Sequence, residues 1–166
     1  MWLDTITFVE QQPACFERSL TIGHITGSAW IVSANRQQVV LIHHRKLDRW
    51  FQPGGHADGN PDVAAVAMQE AREETGLTQL QFVGEPGEPP AVFDVDVHLI
   101  PARANEPAHF HYDIRFLIEA NPTEAFVESG ETKAIQWVYW SEIALFTTEE
   151  SIRRMVKKSA VLTKPD

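Results

Sequence analysis

Glu70, Glu73 and Glu74 stand at the i, i+3, i+4 spacing that sets side chains on neighbouring arcs of one helix face. Like charges so placed destabilise an isolated helix by about 0.2–0.5 kcal/mol per pair, so the cluster calls for a compensating interaction. A divalent cation is the simplest one. Carboxylate oxygens, completed by water and a substrate phosphate, are the ligand set preferred by Mg²⁺ or Mn²⁺. The plain alternative is a solvated acidic face. Against it, the helical wheel puts Glu74 inside the apolar arc of Val63, Ala64, Ala67 and Ala71, where an unpaired charge is costly.

A second constellation comes from two alternating runs, Val92 to Ile100 and His109 to Ala120. Asp94, Asp96 and His98 share one face of the first. His109, His111, Asp113 and Arg115 share one face of the second, with Phe110, Tyr112, Ile114 and Phe116 opposite. Antiparallel pairing with His98 against His109 would set Asp96 against His111 and Asp94 against Asp113. Imidazole with carboxylate suits zinc or another transition metal, so His98, His109, His111, Asp96 and Asp113, with His56 from the glycine stretch, form a candidate second metal site or substrate pocket. The bland expectation for the same alternation is a wet sheet face. Among the cations, Arg45, Lys46, Arg49 and Arg115 are candidates to meet substrate phosphate.

The elements that must position these groups are legible in outline. Gly54 to Pro61 reads as a glycine-rich loop feeding a helix over 62–77, with Asn60 as N-cap type, Pro61 in the first turn and Gly76 as a left-handed stop. Ahead of it, Ile6 to Gln12 reads as a short helix and Pro13 to Leu20 as turns that pack Phe16 and Leu20 inward. Ile25 to Ser33 and Gln38 to His44 read as a β-hairpin, followed by a polar connection, His43 to Arg49. After the helix come a strand over 79–85, the alternating pair, a last strand over 134–139, a short helix opening at Ser141 and a closing helix over 148–158. Strands interspersed with these helices predict an α/β/α sandwich around a mixed sheet.

With 166 residues and 43% hydrophobic content, one domain is expected over 1–166, its first 22 residues a helical extension. The net charge of −9 excludes a non-specific binder of polymeric nucleic acid or of anionic membranes. Cys15 is the only cysteine, which rules out an internal disulfide or a cysteine-based zinc cluster and predicts a small buried hydrophobe. No apolar run approaches the roughly 20 residues needed to span a bilayer, and the N-terminus lacks a signal-peptide pattern, so a soluble cytoplasmic protein is expected.

The stretch 54–77 resembles the Nudix box, G-x5-E-x7-R-E-U-x-E-E-x-G-U with U a bulky apolar residue. Gly55, Glu70, Glu73, Glu74, Gly76 and Leu77 fall on its fixed positions. The lead-in Trp50-Phe51-Gln52-Pro53-Gly54-Gly55 and the Trp137 strand are similar to the family as well. The chain departs from the pattern at Pro61, Gln69 and Ala71, which replace a glutamate, the arginine and a bulky apolar residue. The resemblance implies a Nudix-like sandwich and Mg²⁺- or Mn²⁺-dependent hydrolysis of a diphosphate bond in a small nucleoside diphosphate derivative. Glu70, Glu73, Glu74 and Gly55 would form the metal site, and a loop carboxylate, Glu128 or Glu131, would join the metals or serve as base. Two other functions stay open: a catalytically weak binding module, since Gln69 cannot supply the arginine's charge, and an isomerase on the same fold.

Overall fold

The computed structural model describes residues 1–103, 106–130 and 132–161. In chain order the elements are α1 (Trp2–Gln11), β1 (Gly23–Ser33), β2 (Gln38–His44), β3 (Arg49–Phe51), β4 (Gly54–His56), α2 (Val63–Thr75), β5 (Leu80–Phe82), β6 (Val92–Ile100), β7 (His109–Ala120), β8 (Thr132–Tyr139), a 3₁₀ turn (Trp140–Glu142), α3 (Ile143–Phe146) and α4 (Glu150–Val161).

β1 and β7 run parallel in register over their whole length, from Gly23 opposite Phe110 to Ser33 opposite Ala120. The first half of β1 is flanked by β4 and its far end meets β2. β7 is flanked by β6 at its start and by β5 at its end. β3 and β8 extend the sheet from β2. One continuous pair of strands therefore carries two sets of neighbours.

Alternation along β1 sends Ile25, Gly27, Ala29 and Ile31 to one face and His24, Thr26, Ser28, Trp30 and Val32 to the other. On the first face Ala29 and Ile31 pack with Met68, Ala71 and Leu77 of the α2 region, while Ile25 packs with Val63, Ala67 and Phe8. On the second, Trp30 and Val32 pack with Ile143, Ile152 and Met155 of α3 and α4, and the Trp30 indole donates to Ser159 Oγ at 2.8 Å. Helices thus cover both faces of a mixed sheet, as the α/β/α reading expects. The N-terminal segment stacks Phe8 on Tyr112 at 3.9 Å and buries Cys15. Among the described residues no helix is long and apolar enough to cross a membrane.

Several local expectations are corrected. The supposed glycine loop contains β4, paired with Thr26 to Ser28 of β1, and glycine serves close approach there: a Cβ on Gly54 would strike the Ser28 side chain, and one on Gly55 the Glu70 carboxylate. The helix begins later than Pro61. Its cap is Asp62, whose Oδ1 accepts from Ala65 N at 3.0 Å, whereas Asn60 Oδ1 accepts from Asp62 N one step upstream. Gly76 does stop the helix, at φ 72°. The β6–β7 register is displaced by two residues, His98 facing His111 and Asp96 facing Asp113, with Ile100 and His109 as the last pair. A bridge between Arg103 and Glu106 continues the same register towards the turn. A shift of two preserves the faces.

Asp62→Ala is expected to lower stability by about 1 kcal/mol in urea unfolding, more than Asn60→Ala does. Equal losses would return the cap to Asn60.

Candidate active site

The last turns of α2 lie against β4. Glu74 is buried at 7% exposure in the apolar arc, and its Oε2 accepts a hydrogen bond from Gly54 N at 2.8 Å. Glu70 packs where a Gly55 side chain would be. Glu73 is exposed; its Oε1 accepts from Gln69 Nε2 at 2.7 Å, and it lines an open groove with Gln69, Arg72 and Phe82. The residue in place of the box arginine therefore still orients a glutamate, through a neutral amide.

The segment after β7 folds over the end of this helix. Val127 N donates to Thr75 O at 2.9 Å, so the next residue, exposed Glu128, adjoins the helix terminus. Glu131 lies outside the described residues. Glu124 has a structural task that the sequence did not reveal, accepting from Thr78 N at 2.7 Å and Thr78 Oγ1 at 2.6 Å, and these hydrogen bonds lower its pKa. Arg45 ties the same segment down by donating to Gly130 O at 3.1 Å and Thr132 O at 2.9 Å. Arg49 pairs with Glu149 at 3.1 Å, and Lys46 is exposed.

On the opposite face of β4 and β1, cross-strand pairing assembles a polar belt. His98, His111 and His24 form one row; Asp96, Asp113, Thr26 and His56 the next; Asp94, Arg115, Ser28 and Gly54 the third. The belt is not a wet face, because α4 closes over part of it. Asp94 receives Arg154 Nη2 at 2.7 Å as well as the Lys158 ammonium. Asp113 accepts from Thr26 Oγ1 at 3.0 Å, Ser28 Oγ at 2.8 Å and Arg115 Nε at 2.7 Å. Arg115, 2% exposed, also faces Asp94 at 3.5 Å and Asp96 at 3.6 Å. It is thus a structural cation engaged by three aspartates, and the expectation that it meets substrate phosphate is corrected on that ground. Burial opposes ionisation of Asp96, yet hydrogen bonds from His98 and Arg154 and the charge of Arg115 hold it well below the usual carboxylate range.

Beyond α4 the belt ends in imidazoles. His24, 1% exposed, stands 5.0 Å from His56 and 4.9 Å from both His109 and His111, ring centre to ring centre. His56 and His111 are 5.1 Å apart, and His98 is 5.5 Å from His111. Burial, followed by the charge of Arg18 and then of His24, pushes His56 down to about 4; burial and neighbouring imidazoles push His111 down to about 2. Both rings are neutral near pH 7. His24 escaped the sequence reading because its strand was started at Ile25, although His24, Thr26 and Ser28 carry the same period-two alternation as the hairpin.

These features define an α/β/α protein in which helix-borne carboxylates are seated on a glycine strand. The chain belongs to the Nudix family, since the family model for the NUDIX domain matches residues 24–158. It is 30% identical to Nudix hydrolase 27, chloroplastic, of Arabidopsis thaliana over 77 residues, 46% of this chain, and spans 31% of the length of that relative. Among solved structures it is similar in fold to a Caenorhabditis elegans Ap4A hydrolase, at TM-score 0.65 and 17% identity over 83% of this chain and 96% of that one. A Clostridium perfringens hydrolase of the NUDIX family matches at TM-score 0.64 and 22% identity over 84% and 97% of the two chains. The NUDIX domain of Shewanella oneidensis NrtR, complexed with ADP ribose, matches at TM-score 0.60 and 11% identity over 95% and 97%.

Arg115→Met should destabilise the fold by about 3–5 kcal/mol in denaturant titrations, because it leaves buried Asp113 without its cation. A loss below about 1 kcal/mol would contradict the structural role assigned to it.

Proposed function

We propose that the chain hydrolyses a diphosphate bond in a small nucleoside diphosphate derivative, with Mg²⁺ or Mn²⁺ held by Glu70, Glu73 and Glu74 beside Gly55. The observation that carries this reading is the seating of Glu74 on Gly54 N and of Glu70 against Gly55, which keeps two box glutamates at the glycine strand. Acceptor-only carboxylate oxygens fit a hard divalent cation. When bound, such an ion supplies charge neutralisation at the phosphate oxygens and a lowered pKa for water.

The remaining work falls to the chain's own groups. Glu73, exposed and oriented by Gln69, is the box glutamate open to solvent, and it takes the proton as water attacks one phosphorus and the bond to the bridging oxygen breaks. Glu128, beside the end of α2, is the loop carboxylate that can assist. Small nucleotide-derived substrates fit the −9 net charge, which disfavours polyanions unless cations screen them. The Ap4A and ADP ribose named for structural neighbours set the first compounds to assay.

The test is a panel of nucleoside diphosphate derivatives, including a dinucleoside tetraphosphate and ADP ribose, assayed with Mg²⁺ and with Mn²⁺ on wild type and Glu73→Gln. Metal-dependent cleavage that falls about 100-fold or more in the variant, with unfolding unchanged, is expected. Tight binding of panel compounds without turnover would replace the hydrolase with a binding module.

A further inference from the structure

We propose that His24, His56 and His111 form a binding site for a borderline-soft divalent cation of the zinc class, separate from the glutamates of α2. This does not rest on the hydrolytic reading. The three residues come from β1, β4 and β7, and their ligand nitrogens lie within 4.8 Å of one another, the one such trio of potential ligands among the described residues. Nitrogens around a tetrahedral zinc ion stand about 3.4 Å apart, so modest ring rotations bring the trio to coordination distance.

The independent sign is His24. Its ring is 1% exposed, yet neither Nδ1 nor Nε2 has a hydrogen-bond partner, although buried polar atoms are nearly always satisfied. Three of the other histidines, His56, His109 and His111, stand around it, and the Leu20 backbone, the one backbone group that acts on the ring, does not reach hydrogen-bond geometry with either nitrogen. A metal ion supplies the missing partner. A neighbouring ring orients one member of the trio: His109 Nδ1 lies 2.9 Å from Pro107 O, which fixes the proton there and leaves Nε2 to accept from His111 Nε2 at 3.3 Å. The charges that act on His24 and His56 are of both signs, Arg18, which lies 3.9 Å from Asp58, and Glu106, so no single-sign field favours an anion instead.

The site's place in the fold gives it a consequence. His56 follows Gly54 and Gly55 on a three-residue strand, and an ion joining His56 to β1 and β7 would pin β4 from the face opposite α2. It would act as a staple behind the glycines on which Glu70 and Glu74 are seated.

The test uses the full chain, expressed untagged and purified without added metal, then analysed for metal and equilibrated with zinc and with cobalt(II). About one zinc per chain is expected, with the visible absorption of tetrahedral nitrogen coordination after cobalt exchange. Zinc should raise the Tm of wild type and of Glu73→Gln, and should do neither this nor bind in His56→Gln and His111→Gln. His56 and His111 are only partly buried, and circular dichroism of the two variants checks that they fold. A chain that takes up no zinc on equilibration, or that binds it equally after both histidine substitutions, overturns the proposal. Loss of the metal in Glu73→Gln but not in the histidine variants would likewise overturn it in favour of the α2 glutamates.

Discussion

The parallel pairing of β1 with β7 is the constraint on which the rest of the molecule depends. Its register decides that Ile25, Ala29 and Ile31 meet α2 while His24, Thr26 and Ser28 stand beside His111, Asp113 and Arg115. A slip of one residue would send every one of these side chains to the opposite face, placing aspartates under α2 and isoleucines among histidines. The neutralised aspartates and Arg115 oppose such a slip, since each would lose a partner in a buried setting. Apolar packing on one side and ionic pairing on the other therefore specify the same register.

β4 carries that constraint to the chemistry. It is three residues long and held to the first half of β1, with Gly55 turned to α2 and Gly54 and His56 turned to the belt. Two glycines are needed because the helix carboxylate crowds one face and Ser28 the other. Gly27, opposite Gly55, extends the same requirement into β1, where a Cβ would lie 2.9 Å from Val63 O. The close docking of α2 is thus a property of small residues on two neighbouring strands, and the glutamates inherit their positions from it.

How much of this was legible in the sequence differs by element for physical reasons. The limits of the β6–β7 pair and the shared faces of its histidines and aspartates followed from period-two alternation, and the burial of Glu74 from the helical period. The end of α2 at Gly76 followed from glycine's access to positive φ. The cross-strand register was missed by two residues because alternation fixes parity and not offset. β4 was read as loop because its composition signals flexibility, whereas its glycines answer contacts with Ser28 and Glu70 that only the folded chain brings near. The dry character of the belt was hidden for the same reason: Arg154 and Lys158 reach Asp94 from a helix sixty residues away in the chain. The box helix and its departures at Pro61 and Gln69 were readable at once, but the neutral hydrogen bond from Gln69 to Glu73 required the side-chain geometry.

The central claim is that the glycine strand seats the α2 glutamates for a divalent cation in spite of those departures. Titration of Mn²⁺ into wild type and Gly55→Ala, followed by the paramagnetic resonance of free Mn²⁺, tests it most directly, because an added Cβ displaces Glu70 with no change of charge. Saturable binding by the wild type, weakened about 10-fold or more in a variant whose unfolding remains cooperative, is the predicted result. Equal Mn²⁺ affinity in the two proteins would contradict it.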